Sequence, residues 1–237
     1  ISSFKTDSLR EYELRHLNTI EEFTKPFDKI LLFVTKKLGF LQRENIFYKE
    51  KKRFKFDPNV LKLKGNIYLN GSWQSEKYFK DIRETIIKEF TVKTKPNKAN
   101  TAILEKIKNV NSVAIHIRRK DYLTNPKTKK YHGFCSLQYY QKAIQEIRNR
   151  INSPRFFIFS DDISWAKENL EVKNAVYVDN NPPGKGYEDI RLMKNCKHFI
   201  TANSSFSWWG AWLSENKEKI VLVPKKWLNI NIQTPDL

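Results

Sequence analysis

Glycine is scarce in this chain, with seven residues among 237. None forms G-x-G-x-x-G behind an apolar strand or opens a G-x-x-x-x-G-K-[ST] loop, so both glycine-rich phosphate cradles are excluded. G-x-S-x-G is missing too, and with it the nucleophile elbow of serine hydrolases. The two cysteines, Cys135 and Cys196, cannot form a disulfide framework, and no Cys/His spacing suggests zinc. A reducing compartment is expected. No apolar run approaches the ~18 residues of a membrane span; Ile30–Val34 is soon cut by Lys36 and Lys37. The opening Ile1-Ser2-Ser3 has neither Met nor a signal pattern, and reads as the interior of a longer chain. Acidic residues are in deficit: 26 Asp+Glu face 44 Lys+Arg, a formal charge of +18. Such an excess implies anionic partners (nucleic acid, an acidic membrane surface or a phosphorylated substrate) and says little about fold.

What remains divides into two parts. Residues 1–60 are irregular, basic and aromatic, with helical patches at 7–16 and 26–41 and extended structure expected over 45–64. Asn66–Gly71 reads as a strand closed by a glycine turn, and a helix is expected from Glu76 to Phe90. Lys93–Asn100 has the composition of a linker, which sets a domain boundary near 110: residues 1–110 and 111–237. Beyond it, apolar strands at 113–117, 155–160, 175–178, 198–201 and 220–224 alternate with four helices. Ser136, Asp161 or Asp162, and Ser204 stand at helix starts. That alternation predicts an α/β fold, a parallel sheet with helices on both faces. Ligands of such sheets sit at the carboxyl ends of strands.

After the first of these strands comes His116-Ile117-Arg118-Arg119-Lys120-Asp121. Consecutive strand residues face opposite sides, so Arg118 and Arg119 cannot both be core. Guanidinium forks grip phosphate oxygens bidentately and stay charged. This stretch therefore suits a diphosphate, with a surface ion-pair cluster as the plainer reading. After the fourth strand, Asn203-Ser204-Ser205-Phe206 offers hydroxyls and backbone N–H groups at a helix start, an anion site or a simple cap. Trp208 and Trp209 read as core. Asp161 suits either a ligand or a helix cap. Asp189 could pair with the N1–H and amine of a guanine, although a first-turn Asp also answers the helix dipole. His198 reads as structural. With arginine countering phosphate charge, no metal is expected.

These residues resemble the α-1,2-fucosyltransferases of glycosyltransferase family 11, the bacterial branch in particular. The resemblance covers roughly Ile67 to Trp227. It rests on Asn70–Phe79, His116–Tyr122, His132–Tyr140, Phe159–Asp162, and Asp189–His198 running into Ala202–Leu213. It implies a GT-B-type fold of two Rossmann-like domains, with residues 1–110 the remainder of an acceptor-side domain whose glycine-rich opening is missing here. Residues 111–237 would bind GDP-fucose. It also implies inversion at the anomeric carbon without a metal. Arg118 corresponds to the arginine that grips the β-phosphate in related enzymes. Asp189 and Ser205, sixteen residues apart, match their guanine and phosphate contacts. Arg119, Ser204, Phe206 and Asp161 complete the expected donor site, and Arg118, His116 and Asp121 are the catalytic candidates. Some relatives carry a Glu base shortly after the arginines. Leu123–Tyr131 holds no carboxylate, so Asp121 is the candidate base.

The expected reaction moves fucose from GDP-fucose to the 2-hydroxyl of a galactose-terminated glycan. The rivals are another linkage or acceptor, a basic nucleic-acid-binding protein, or an inactive sugar-binding module. No RNA-recognition, zinc or helix-turn-helix signature supports a nucleic-acid partner. The Lys-, Asn- and Ile-rich, Gly-poor composition suggests an AT-rich bacterial genome and a cytoplasmic enzyme. Its charge suits peripheral contact with anionic lipid.

Overall fold

A computed structural model of the chain describes residues 12–20 and 47–230. The helical patch expected at 26–41 lies outside the described residues; within 7–16, the described part holds a 3-10 turn at Glu13–His16. The packing separates into two compact units.

The smaller unit is built on residues 20–89. Its strands β1 (Phe47–Lys49) and β2 (Tyr68–Asn70) pair in parallel. Among the described residues of 45–64, extended structure is confined to β1, because Asp57 caps a 3-10 turn at Pro58–Lys62 by accepting from Asn59 N–H. The helix expected from Glu76 starts later. Two 3-10 turns come first, broken by Phe79 at φ −145° and ψ 3°, and α1 runs over Arg83–Glu89.

The larger unit comprises residues 90–231 with 2–19. It begins with a helix where the composition suggested a linker: α2, Lys98–Lys108. Asn97 caps it by accepting from Asn100 N–H, and Ile103, Leu104 and Ile107 pack beneath the sheet. The polar stretch holds the helix's cap, Asn97, and the start of its first turn, and the compact units part between Glu89 and Phe90 rather than near residue 110. There follow β3 (Asn111–Ile117), α3 (Lys120–Thr124), α4 (Pro126–His132), α5 (Leu137–Arg150), β4 (Pro154–Ser160), α6 (Ile163–Asn169), β5 (Val176–Tyr177), α7 (Gly186–Met193), β6 (His198–Ile200), α8 (Ser205–Trp212) and β7 (Val221–Leu222). The short helices α3 and α4 were not expected.

All five strands are parallel, in the order β5-β4-β3-β6-β7. The fold is α/β, as expected. Strand alternation distributes the core. Val113, Ile115, Ile117, Phe156 and Ile158 meet Tyr140, Ala143, Ile144 and Ile147 of α5 on one face. Ala114, Phe157, Phe159 and Phe199 meet Ile107, Leu192 and Met193 on the other. Burial on both faces is why these strands read as unbroken apolar runs. The chain builds outward from β3 through β4 to β5, then returns to β3's other side for β6 and β7. The order reverses between β3 and β6, and the crevice above their carboxyl ends is where such sheets take ligands.

Candidate functional site

One wall of that crevice is the end of β3. His116 is buried and lies on the same face as Ala114, its ring centroid 5.2 Å from that of Phe206. Burial, with help from the Arg118 charge, pushes its pKa down to about 3, so it is neutral near pH 7. Its Nδ1 is buried and makes no hydrogen bond.

The two arginines diverge, as strand geometry requires. Arg118 Nε is 3.4 Å from Asp161 Oδ2, and its guanidinium carbon is 6.0 Å from the Tyr122 ring centre. Arg119 packs inward, its guanidinium carbon 3.8 Å from the Trp165 ring and its Nε 3.8 Å from Asp162 Oδ2. Asp161 also accepts from Arg119 N–H at 2.9 Å and Lys120 N–H at 3.1 Å, which anchors the start of α3. Asp162, not Asp161, caps α6, accepting from Trp165 N–H. Asp121 lies in α3; its side chain lies outside the described residues.

The other wall is the end of β6. Ser204 caps α8 by accepting from Phe206 N–H at 3.3 Å, and Ser205 is exposed as the first residue of that helix. Phe206 bridges to α7: a Cβ on Gly186 would lie 3.3 Å from its Cε2. Trp208, Trp209 and Trp212 pack on one another and Trp209 stacks on Phe90 at 4.7 Å; they form a half-buried aromatic cluster rather than part of the buried core expected of Trp208 and Trp209. His198 is structural, its Nδ1 accepting from Ile220 N–H at 3.1 Å to tie β6 toward β7.

Asp189, in the first turn of α7, accepts from Asn181 Nδ2 at 2.8 Å. Burial raises its pKa to about 7, reinforced by Glu13 and Glu188. Glu13 accepts from Tyr187 N–H at 3.1 Å, and His16 stacks on Tyr187 at 4.2 Å.

Sequence reasoning named Asn203 only as part of the run after the fourth strand and gave it no role of its own. It is buried and donates to the carbonyls of His132 at 2.9 Å and Trp227 at 3.2 Å, while its own carbonyl accepts from Tyr122 Oη at 3.2 Å. It ties the loop after β6 to α3, α4 and the chain after β7. An amide ending an apolar strand was the available signal. A groove of about 750 Å³, lined by Arg148, Phe156, Glu171, Lys173 and Tyr177 among others, lies at the amino ends of β4 and β5. Among the described residues, no cluster of His, Cys, Asp and Glu could hold a metal ion, and no helix is long and apolar enough to cross a membrane.

The model of Glycosyl transferase family 11 matches residues 41–235. The chain belongs to glycosyl transferase family 11. An α-1,2-colitosyltransferase of Escherichia coli is 39% identical over 70% of this chain and 57% of its own length. An O-antigen biosynthesis glycosyltransferase of the same species is 34% identical over 94% of this chain and 74% of its own. The galactoside α-(1,2)-fucosyltransferase 2 of Mus musculus is 28% identical over 58% of the chain. The chain spans only 42% of that enzyme's length. Among solved structures, POFUT1 in complex with GDP aligns with a TM-score of 0.38 at 17% identity, over 54% of this chain and 47% of that one. The family 11 match takes in every strand and α-helix described above and every site residue named except Glu13 and His16.

Proposed function

We propose that this family 11 chain carries the donor site of an inverting glycosyltransferase that moves fucose from GDP-fucose to the 2-hydroxyl of a terminal galactose, without a metal. The reading is supported by strand order: β3 and β6 are hydrogen-bonded neighbours, Arg118 directly follows the first, and Ser205 opens the helix after the second. In this reading Arg118, with Ser204 and Ser205, takes the diphosphate. The acceptor oxygen bonds to the anomeric carbon from the face opposite the phosphate, and the old carbon–oxygen bond breaks toward GDP. Negative charge grows on the leaving diphosphate, and a site that binds it more strongly in the transition state accelerates the step. Asp161 holds Arg118 by its side chain and accepts the Arg119 N–H. His116, neutral at working pH, packs with Phe206 and brings no charge. Asp121 is the candidate carboxylate for the acceptor's proton, and Asp189 takes the guanine. Incubation with GDP-fucose and a β-galactoside, with the new linkage located by NMR and EDTA present throughout, tests this. Another linkage, or no transfer, overturns it.

The colitosyltransferase relative favours a second reading, in which the donor sugar is colitose, which lacks the 3-hydroxyl of fucose. Comparing kcat/KM for the two GDP-sugars decides between them.

A further inference from the structure

A chain of amides stands behind Asp189. Asn100, in the first turn of α2, is fully buried. Its Nδ2 donates to Asn181 Oδ1 at 3.0 Å and to Glu188 Oε2 at 3.2 Å, and its Oδ1 accepts from Asn180 Nδ2 at 2.7 Å. Asn180 Nδ2 also approaches Asn181 Oδ1 at 3.3 Å. Two N–H donors converge on one oxygen of Asn181, so its amide cannot flip without setting donor against donor. Its Nδ2 must then face Asp189, where it donates to Oδ1 at 2.8 Å. Glu188 is held in turn by Arg191, whose Nε lies 3.0 Å from Oε2 and whose Nη2 donates to Thr94 O at 2.6 Å. A carboxylate offers about four acceptor positions. Asn181 uses one, and among the described residues Oδ2 of Asp189 takes no hydrogen bond. The whole Oδ2 edge and part of Oδ1 can accept a pair of adjacent N–H donors.

We propose that Asn181, locked by Asn100 and Asn180, is a positioning residue that aims Asp189 at the donor's base and thereby sets the preference for a base presenting two adjacent N–H donors over one presenting a single donor. This rests on the reading of the donor as a guanosine diphosphate sugar with Asp189 at its base. The charged groups around Asp189 are Glu13 from the segment before β1 and Glu188 and Arg191 on α7; α2 contributes the uncharged Asn100, and α8 carries no charged side chain. With an acid near pH 7 at this point, base binding should strengthen as pH rises through that value. Asn181 must tune that midpoint, since its N–H favours the ionised form.

The test is calorimetric titration of the full chain with GDP and with IDP, which lacks the exocyclic amine, from pH 5.5 to 8.5. Wild type, Asp189→Asn, Asn181→Leu and the isosteric Asn181→Asp are compared, each checked for folding by circular dichroism. Wild type should prefer GDP to IDP at least tenfold. Asn181→Leu should reduce that preference severalfold and move the pH midpoint upward, and Asn181→Asp should move it further. If both Asn181 variants lower thermal stability alone, leaving the midpoint and the GDP/IDP ratio where they were, the residue is merely structural and the proposal fails. If wild type binds no GDP, or Asp189→Asn binds it as well as wild type, the donor reading itself fails and the proposal falls with it.

Discussion

Arg118 and Asp161 meet across the carboxyl ends of β3 and β4, Nε to Oδ2 at 3.4 Å, while the same carboxylate accepts the N–H groups of Arg119 and Lys120. One aspartate thus holds both the arginine's side chain and the backbone beyond it. Arg118→Lys keeps the charge but loses the planar fork. Under the proposed mechanism the variant should lose about 10²–10³ in kcat, the usual cost of one contact to developing charge. Steady-state kinetics with GDP-fucose measures this, and a near wild-type rate would remove Arg118 from the role.

Arg119 should behave oppositely. Its guanidinium carbon lies 3.8 Å from the Trp165 ring centre and 5.4 Å from that of Phe134. Arg119→Met loses the cation–π contact and should cost about 1–2 kcal/mol in urea denaturation. GDP affinity should change by less than about threefold if the side chain is framework only.

Asn203→Ala should be among the most damaging single changes at the crevice. It strands the carbonyls of His132 and Trp227, and buried acceptors left unsatisfied typically cost about 1–3 kcal/mol each. Denaturant unfolding should show a loss of about 3 kcal/mol, with GDP binding weakened because Ser204 follows directly. An unaltered midpoint would show that the loop is held by other means.

Stability of the ligand-free protein should carry a signature of Asp189. Its folded pKa, about 7, lies above the usual carboxylate value. Between about pH 4 and 7 the folded state holds a proton that the unfolded state has released. This contribution is full below that window and is lost as pH rises through it. Asp189→Asn should therefore gain stability relative to wild type as pH rises from 4 to 7, and the gain should level off above. Thermal melts across that range provide the measurement, and a pH-independent difference would contradict the shift.

The net charge of +18 suggests that the protein binds acidic bilayers. Co-sedimentation should show preference for anionic over neutral vesicles that fades with added salt. Equal binding to both would discard the proposed membrane contact.

Legibility differed between strand and helix, and between core and network. The strands at 113–117 and 155–160 were plain because residues buried on two faces must be apolar throughout. Ser136 and Ser204 were readable as caps because a side-chain oxygen at a helix start has a local partner. Helix α2 was not: its polar positions mimic a linker, and Ile103, Leu104 and Ile107 gain meaning only against a sheet formed elsewhere in the chain. Asn100 and Asn181 were invisible for the same reason, since their hydrogen bonds join residues some eighty positions apart.

The sequence by itself determined the alternation of strand and helix, the arginines at a strand end and the ordered motifs that mark family 11. Local periodicity and short spacing carry that information. Tertiary structure alone decided which arginine stays at the crevice and which is packed beneath α6. It also decided that Asp161 braces Arg118 while Asp162 caps the helix, and that Asp189 pairs with Asn181, which Asn100 of α2 holds in turn. Those outcomes depend on which strands become neighbours, and neighbours in a sheet are chosen by burial across the whole fold.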